Sequence, residues 1–236
     1  MCTNYKSPEE LDLERAWELK PSQSVLWAQD VFPNRPGPIV RLKPGGAPGE
    51  RECVLANFRL IPFNVKDPEQ FKASTMNARC ETVDKLWSFK SAWARRQRCV
   101  IPAWAFYEPY YETASSKSVR WKVAAADGTM LSIAGLWDRW VPPAGSDRAE
   151  VISFTMITLN CDEHPLLKRF HRWYDEKGNP EEKRTPVLLT EQEVDTWLQG
   201  DDAEAKALFK TWPAEELHAE AAPIRRSAPP VSGVLL

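Results

Sequence analysis

The sequence contains little of what marks a metal site, a membrane segment or a strongly basic DNA-binding protein. It has three histidines, and its five cysteines include no Cys-X-X-Cys pair, so neither a zinc site nor a complete disulfide framework is indicated. No apolar run approaches the roughly 18 residues of a membrane span. The formal net charge is −2, so any contact with nucleic acid must come from a local patch. We expect no metal, no cofactor and no membrane partner.

What is present is the pattern of a globular α+β protein of 236 residues. Strand-like segments at short spacing are 24–28, 38–42, 52–64, 99–102, 105–108, 119–125, 131–137 and 151–159. Helical segments are 7–19, 82–97, 191–198 and 203–208. We therefore predict a single domain over residues 1–212, with a mostly antiparallel, barrel-like β core and flanking helices.

Three further features complete the prediction of fold and compartment. The turn Asp127-Gly128 between two strand-like segments is typical of a β-hairpin. Residues 213–236 are rich in Pro, Ala and Glu, which favours a loosely packed C-terminal tail. The odd number of thiols, and an N-terminus without the apolar stretch of a signal peptide, indicate a cytoplasmic protein.

Cys2 offers two nucleophiles once Met1 is removed, which a second residue as small as cysteine permits. The α-amine, with an ordinary pKa of roughly 7.7–8.0, is partly neutral near pH 7, and the thiol is a second strong nucleophile. A 1,2-aminothiol condenses with an aldehyde to an imine and then closes to a five-membered thiazolidine. The simpler alternative is a cysteine near a frayed terminus with no chemical role.

Other segments also carry side chains that could do chemistry. Asn77 and Arg79 lie just before a predicted helix, where they either belong to a helix cap or orient a reactive centre and hold a phosphate. Glu108 ends an apolar stretch, so its carboxyl group either is partly desolvated and exchanges protons or faces solvent. His171, in a basic stretch, is the best acid–base candidate among the histidines.

Together these motifs resemble the SRAP family (SOS response-associated peptidase) and stand in that family's order from Met1 to about Leu198. The matching segments are Met1-Cys2, Asn77-Ala78-Arg79 with Glu81-Thr82, Arg98-Cys99-Val100-Ile101-Pro102 leading to Phe106-Tyr107-Glu108, Ala134-Gly135-Leu136-Trp137, Thr158-Leu159-Asn160, His164-Pro165, Arg169-Phe170-His171 and Glu182-Lys183-Arg184. One such motif would be weak, whereas the ordered series is specific.

The resemblance implies an enzyme that removes its own Met1 and bonds Cys2 covalently to abasic sites in single-stranded DNA, as a thiazolidine. It implies that Asn77 positions the Cys2 adduct, and that Glu108 shuttles protons for sugar-ring opening, imine formation and Met1 cleavage. By the same resemblance, His171 acts on the sugar hydroxyl and in crosslink reversal. The expected partner is abasic single-stranded DNA, bound by a monomer that is nucleoid-associated while on DNA.

The expected DNA surface follows from the resemblance and from four departures from the family pattern. Thr3-Asn4 replaces a typical Gly-Arg, and Phe58-Arg59-Leu60 replaces Trp-Gly-Leu; Phe58 could wedge against a base, and Arg59 could supply the charge missing at position 4. The stretch from His171 to Arg184 is longer than usual, and Thr185-Pro186 replaces a typical Met-Pro. The basic residues that either contact phosphates or form a solvated face are Arg79, Lys90, Arg95, Arg96, Arg98, Lys168, Arg169 and Arg172.

Two other functional classes fit parts of the pattern. A thiol-dependent N-terminal nucleophile amidohydrolase would also use Cys2 after loss of Met1, but it would turn over a small amide and ignore abasic DNA. A non-catalytic single-stranded-DNA-binding module would bind DNA equally well after Cys2→Ala and would form no covalent product.

Overall fold

The computed structural model describes residues 2–22, 26–175 and 177–224, in which short strands predominate over short helices. The strands are β1 (Tyr5–Lys6), β2 (Asp30–Val31), β3 (Pro36–Leu42), β4 (Arg51–Phe58), β5 (Asn77–Arg79), β6 (Arg98–Ala103), β7 (Ala105–Tyr110), β8 (Val119–Ala125), β9 (Leu131–Trp140), β10 (Val151–Asn160), β11 (Arg184–Pro186), β12 (Leu188–Leu189) and β13 (Leu217–Ala221). The helices are α1 (Glu10–Trp17), α2 (Trp87–Ala94), α3 (Glu191–Gln199) and α4 (Asp202–Ala207). None of the helices in these ranges is long and apolar enough to cross a membrane.

Five strands close into a barrel. β10 pairs with β4, β4 with β3, β3 with β6, β6 with β9, and β9 pairs back onto β10. Only the β10–β4 pairing in this ring is parallel. The predicted α+β class with a mostly antiparallel, barrel-like core is therefore confirmed.

Alternation along the barrel strands explains where the core lies. Ile101 and Ile133 belong to one buried apolar cluster, whereas their neighbours Val100 and Ala134 belong to a second cluster, which also contains buried residues of α2 and α3. Successive side chains of a strand point to opposite faces of a sheet. The barrel therefore buries both faces of these strands, which accounts for their nearly continuous apolar sequence.

A second antiparallel sheet lies beside the barrel, with the strand order β13-β8-β7-β1-β2. Its arrangement corrects the hairpin predicted at Asp127-Gly128. β8, before the turn, pairs with β7 and β13, whereas β9, after it, pairs with β6, β10 and β12. Gly128 does have the positive φ of a tight turn (78°), but the turn leads the chain from one sheet to the other. The hairpin prediction is wrong because strand pairing is decided by tertiary contacts.

The prediction of a loosely packed tail from Pro213 is also wrong for its first part. Residues 217–221 form β13, which pairs with β8 along its whole length, and Leu217 is buried against the core. A domain boundary at residue 212 would therefore remove a strand from the second sheet. The alternation of Leu217 and Ala219 with polar neighbours is a strand signal that the overall composition of the segment concealed. Residues 225–236 of the predicted tail lie outside the described residues.

Three of the predicted segments are shorter in the structure or are not found in it. The strand predicted over 52–64 stops at Phe58, because Arg59 adopts a φ of 149° that interrupts the strand. The helix predicted over 82–97 is reduced to α2, with turns before it. Of the strand predicted over 24–28, residues 24 and 25 lie outside the described residues and 26–28 form no strand.

Candidate active site

The N-terminal segment runs alongside β7 and brings Cys2 to the strand that carries Glu108. Tyr5 is paired with Phe106, and the backbone N–H of Tyr107 donates to the carbonyl of Asn4 at 2.9 Å. Continued toward the N-terminus, the same antiparallel register places residues 3 and 2 opposite residues 108 and 109. Cys2 is fully buried there.

Asn77 reaches Cys2 from a different element. β5 pairs in parallel with β10, and Asn77 lies opposite Met156. The side-chain Nδ2 of Asn77 donates a hydrogen bond of 2.8 Å to the main-chain carbonyl of Cys2. The Oδ1 atom of the same side chain is buried and accepts no hydrogen bond from the described residues. The Nδ2 atom of Asn77 thus holds the backbone of Cys2, while Oδ1 has no donor among the described residues.

Glu108 and His171 form a buried pair beside Cys2. The Nε2 atom of His171 lies 3.0 Å from Oε2 of Glu108, and both side chains are almost completely buried. His171 adopts a left-handed backbone conformation with φ of 66°, and its N–H donates to the carbonyl of Pro109 at 2.7 Å. This conformation is uncommon for a residue other than glycine and typically occurs where a functional side chain has to be held in place.

Burial and charge act together on the Cys2 thiol. Burial raises the pKa of this thiol well above its usual range, and the nearby Glu108 carboxylate raises it further. The Sγ atom donates to the carbonyl of Asn4 at 3.5 Å. Both carboxylate oxygens of Glu108, like Asn77 Oδ1, are buried and have no hydrogen-bond partner in the described ranges. We call Cys2, Asn77, Glu108 and His171 the reactive cluster; it combines a buried thiol with three acceptor oxygens that lack a donor among the described residues.

Two side chains near this cluster were missed by the sequence analysis. Cys161 is buried, and burial together with the Glu108 charge raises the pKa of its thiol to about 12. Arg120 donates from Nε and Nη2 to the side-chain oxygen of Asn4, at 2.9 and 2.6 Å, and lies 3.3 Å from the ring centroid of Tyr107. The only available signals were that Cys161 follows the motif ending at Asn160 and that position 4 lacks its usual charge.

The structure corrects two of the predicted DNA contacts. Phe58 is fully buried and stacks on Phe154 at 5.1 Å, so it is not exposed to wedge against a base. Arg98 is also buried, with its guanidinium bonded to Asp202 and to main-chain carbonyls between α3 and α4, so it is not available to a phosphate. Arg59 is partly exposed, bonds to Asn34 Oδ1 at 3.2 Å and stays a predicted DNA contact; a positive charge is brought to Asn4 by Arg120.

The other predicted basic residues are accessible to different degrees. Arg79 is half-exposed and paired with Glu182 at 2.9 Å, and Arg95 is paired with the buried Asp138 at 2.9 Å. The remaining members are exposed side chains on the α2 side of the barrel or next to His171, namely Lys90, Arg96, Lys168, Arg169 and Arg172. Arg79 and the group next to His171 therefore remain the predicted phosphate contacts closest in the fold to the reactive cluster.

His164 has a structural role, because its ring nitrogens are used in hydrogen bonds to the main chain. The Nδ1 atom of His164 accepts from the backbone N–H groups of Leu166 and Leu167, and Nε2 lies 2.8 Å from the carbonyl of Trp212. These bonds fix the turn before the 3-10 helix Leu167–Arg169. Within the described ranges, no group of three or more His, Cys, Asp or Glu side chains is placed to hold a metal ion.

Comparison with known proteins adds a family and several relatives. A family model described as SOS response associated peptidase (SRAP) matches residues 1–226. The chain is 34% identical over 179 residues to the abasic site processing protein HMCES of Xenopus tropicalis, covering 67% of this chain and 49% of that protein. It is 26% identical over 163 residues to the abasic site processing protein YoqW of Bacillus subtilis, covering 68% and 64%. The match therefore spans about half to two thirds of the length of these curated relatives.

Solved structures share the architecture. A crystal structure of a protein from Bordetella bronchiseptica matches with a TM-score of 0.80 at 32% identity, covering 94% of this chain and all of that one. A protein from Bacteroides thetaiotaomicron matches with a TM-score of 0.74 at 23% identity, covering 94% and 91%. The second likeness concerns the fold alone.

Proposed function

The chain belongs to the SOS response associated peptidase (SRAP) family, and on that premise we propose that it binds single-stranded DNA and crosslinks covalently to abasic sites. The bond is a thiazolidine made by the amine and thiol of Cys2 after autoproteolytic removal of Met1. The observation that carries the proposal is the reactive cluster, in which Asn77 holds the Cys2 carbonyl at 2.8 Å beside the buried Glu108–His171 pair. Two relatives named for abasic site processing support the substrate class.

The proposed reaction balances without a further reactant. The α-amine of Cys2 adds to the aldehyde carbon of the ring-opened abasic sugar, and loss of one water gives an imine. The thiol sulfur then adds to the imine carbon while its proton is transferred to the nitrogen, which closes the five-membered ring. The net change is one C–N bond, one C–S bond and one released water.

Glu108 is the side chain best placed to move the protons. Because the pKa of the Cys2 thiol is raised by burial and by Glu108, the sulfur enters the site as S–H and requires a base as it attacks. Because neither carboxylate oxygen of Glu108 has a hydrogen-bond donor among the described residues, the carboxylate would accept that proton and return one during loss of water. The same carboxylate would serve sugar-ring opening and cleavage of the bond after Met1.

Asn77 and His171 would position and polarise the reacting groups. Asn77 Nδ2 fixes the Cys2 carbonyl, and its open Oδ1 would accept from the N–H groups formed on the adduct. His171, whose Nε2 atom lies 3.0 Å from Glu108 Oε2, would act on the sugar hydroxyl and in crosslink reversal. Arg79 would exchange its partner Glu182 for a flanking phosphate.

The amidohydrolase alternative differs from this proposal in its substrate. An enzyme of that class would turn over a small amide and ignore abasic DNA.

The test is a crosslinking assay with single-stranded DNA that contains an abasic site, paired with intact mass measurement of the protein. We expect the wild-type protein to lack Met1 and to give a heat-stable, slowly migrating band. Cys2→Ala should bind the DNA but give no such band. Cys99→Ala is the matched control, since Cys99 is also a fully buried thiol but lies on barrel strand β6. Retention of Met1, or absence of the band for wild type, would refute the proposal.

A further inference from the structure

A cleft of about 510 Å³ opens beside the reactive cluster, a volume in the ordinary range of small-ligand sites. Its lining includes Tyr110, Arg169, Trp173, Tyr174 and Lys183, and we call it the aromatic cleft. None of these residues takes part in the chemistry described above.

The aromatic cleft is connected to the reactive cluster through the backbone on both sides. Tyr110 follows Glu108 by two residues on β7 and forms a β-bridge with Phe170, the residue before His171. Lys183 donates from Nζ to the carbonyl of His171 at 3.4 Å. A DNA strand whose abasic sugar reaches Glu108 and His171 would therefore bring an adjacent nucleotide to the cleft.

Two aromatic rings of the cleft are exposed on a loop whose backbone is held by hydrogen bonds. Trp173 and Tyr174 are 51% and 52% exposed. Their loop is closed on itself, because the N–H of Glu181 donates to the carbonyl of Trp173 at 3.1 Å and Tyr174 forms a β-bridge with Pro180. The Asp175 side chain accepts from the backbone N–H groups of residues 177 and 179 at 2.8 and 2.9 Å. A closed loop that presents two large rings to solvent is the arrangement of a stacking platform.

Another part of the cleft, formed by Tyr110 and Arg169, also offers a surface suited to a planar group. The Tyr110 ring lies 4.8 Å from that of Trp121 and 6.5 Å from that of Phe170, so its orientation is fixed by packing. Arg169 lies 5.7 Å from the centroids of both Tyr110 and Trp121. Lys168 is exposed beside it. The cleft also contains the carboxylates of Asp162 and Glu181, so its three cations, Lys168, Arg169 and Lys183, outnumber its two acids. Rings for a base and cations for a phosphate thus occur in one cleft.

We propose that the aromatic cleft binds the base of the nucleotide next to the abasic site, by stacking on Trp173 and Tyr174, while Arg169 and Lys168 contact its phosphate. This inference rests on the proposed function, because it assumes that the strand in the cleft is the one that carries the lesion. It deepens that function by making a nucleobase on one side of the lesion part of the recognised substrate.

The test measures binding rather than crosslinking, so that it does not depend on the covalent step. Fluorescence anisotropy of the Cys2→Ala protein is recorded with single-stranded oligonucleotides that carry one tetrahydrofuran abasic analogue. In further probes, a second analogue replaces the neighbouring nucleotide on the 5′ or on the 3′ side. We expect loss of the base on one of the two sides to weaken binding roughly tenfold.

Substitutions in the loop should remove this dependence on the base. Trp173→Ala and Tyr174→Ala, each in the Cys2→Ala protein, should weaken binding to the probe with both bases roughly tenfold and leave binding to the probe without the base unchanged. Trp173→Phe keeps a ring and should retain most of the dependence. Trp87→Ala is the matched control, because Trp87 is 48% exposed but lies on α2, and it should behave like the parent protein.

The proposal is overturned if no probe binds, if binding ignores the neighbouring base, or if the loop variants weaken all probes equally. Its failure is distinguishable from failure of the proposed function. A wild-type protein that crosslinks to abasic DNA while its Cys2→Ala form ignores the neighbouring base refutes only the cleft. A protein that does not crosslink but shows the dependence on Trp173 refutes only the covalent reaction.

Discussion

Arg98 and Glu108 lie ten residues apart in one apolar stretch and are both buried, yet their surroundings differ in kind. The Nη1 and Nη2 atoms of Arg98 bond to main-chain carbonyls at the junction of α3 and α4 and to Asp202. Its guanidinium also lies 5.0 Å from the ring centroid of Trp93. Oε2 of Glu108 lies 3.0 Å from Nε2 of His171, but within the described ranges neither carboxylate oxygen of Glu108 has a hydrogen-bond partner.

This difference distinguishes a buried charge that stabilises the fold from one that takes part in a reaction. A buried ion with several hydrogen bonds contributes to the positioning of the elements that supply the partners. Arg98 makes four such bonds through Nη1 and Nη2, and within the described ranges only its buried Nε atom lacks a partner. A buried carboxylate with an open acceptor is costly for folding, and such a cost is typically found where a substrate completes the site. Arg98 is therefore expected to matter for stability and Glu108 for the reaction.

Glu108→Gln should have the largest effect on the reaction and a small effect on stability. The amide keeps the size of the side chain but cannot accept a proton, so we expect crosslink formation to slow by about 10²- to 10⁴-fold. The free energy of unfolding should change by no more than about 1 kcal/mol. Single-turnover crosslinking on denaturing gels and urea denaturation measure the two quantities. Asp138→Asn, at another buried carboxyl group, is the control and should crosslink at nearly the wild-type rate.

Arg98→Met should show the reverse pattern. Loss of the guanidinium leaves Asp202 and the carbonyls of Trp197, Gly200 and Asp201 without their donor, so we expect a loss of about 3 kcal/mol in the free energy of unfolding. The crosslinking rate of the folded fraction should stay within a factor of about two of the wild-type rate. Arg96→Met, at a neighbouring exposed arginine, should cost less than about 0.5 kcal/mol. If the Arg98→Met protein were as stable as the wild type but crosslinked slowly, the assignment of Arg98 to stability rather than to the reaction would be wrong.

The smallest of the predicted effects concerns the buried thiols of Cys2 and Cys99. Both should make the free energy of unfolding depend on pH, and by similar amounts. Burial raises the pKa of both thiols above the usual value, so the folded protein keeps protons that the unfolded chain releases above about pH 8.5. Stability is then full below that pH and falls as pH rises, by up to about 1.4 kcal/mol per pH unit for each thiol.

Replacing either thiol should therefore make the fall in stability above pH 8.5 less steep. Cys2→Ala and Cys99→Ala are expected to reduce the slope by similar amounts, as measured by urea denaturation between pH 7.5 and about pH 10. An unchanged slope in Cys99→Ala would show that its thiol is not protected by the barrel. The two variants should still differ completely in crosslinking.

Much of the fold was predictable because the strands alternate or run apolar over their own length. The segment 119–125 is β8, and the helix predicted at 191–198 is α3 with one residue more. The Asp127-Gly128 turn and the segment after Pro213 were misinterpreted for a common reason. A turn or a short strand carries no information about which distant strand it will pair with, so β8 and β13 were not recognised as partners.

The members of the reactive cluster were all named from motifs, and the structure brings them together; their catalytic roles remain a proposal. The predicted DNA surface was wrong at two of its residues. Phe58 and Arg98 have the side chains that contact bases and phosphates, but both point into the protein. Charge and aromaticity are properties of a residue type, whereas exposure depends on what packs against it.

The sequence by itself determined the strand and helix segments, the set of motifs and the presence of a cysteine after Met1, because these depend on residue type and near neighbours along the chain. Only the tertiary structure decided that β9 closes onto β10, that Arg98 is internal, and that Asn77 and Glu108 meet at Cys2. These outcomes depend on pairing between strands far apart in the chain and on the burial that such pairing creates, since burial removes water from a side chain and leaves only the partners that the fold supplies.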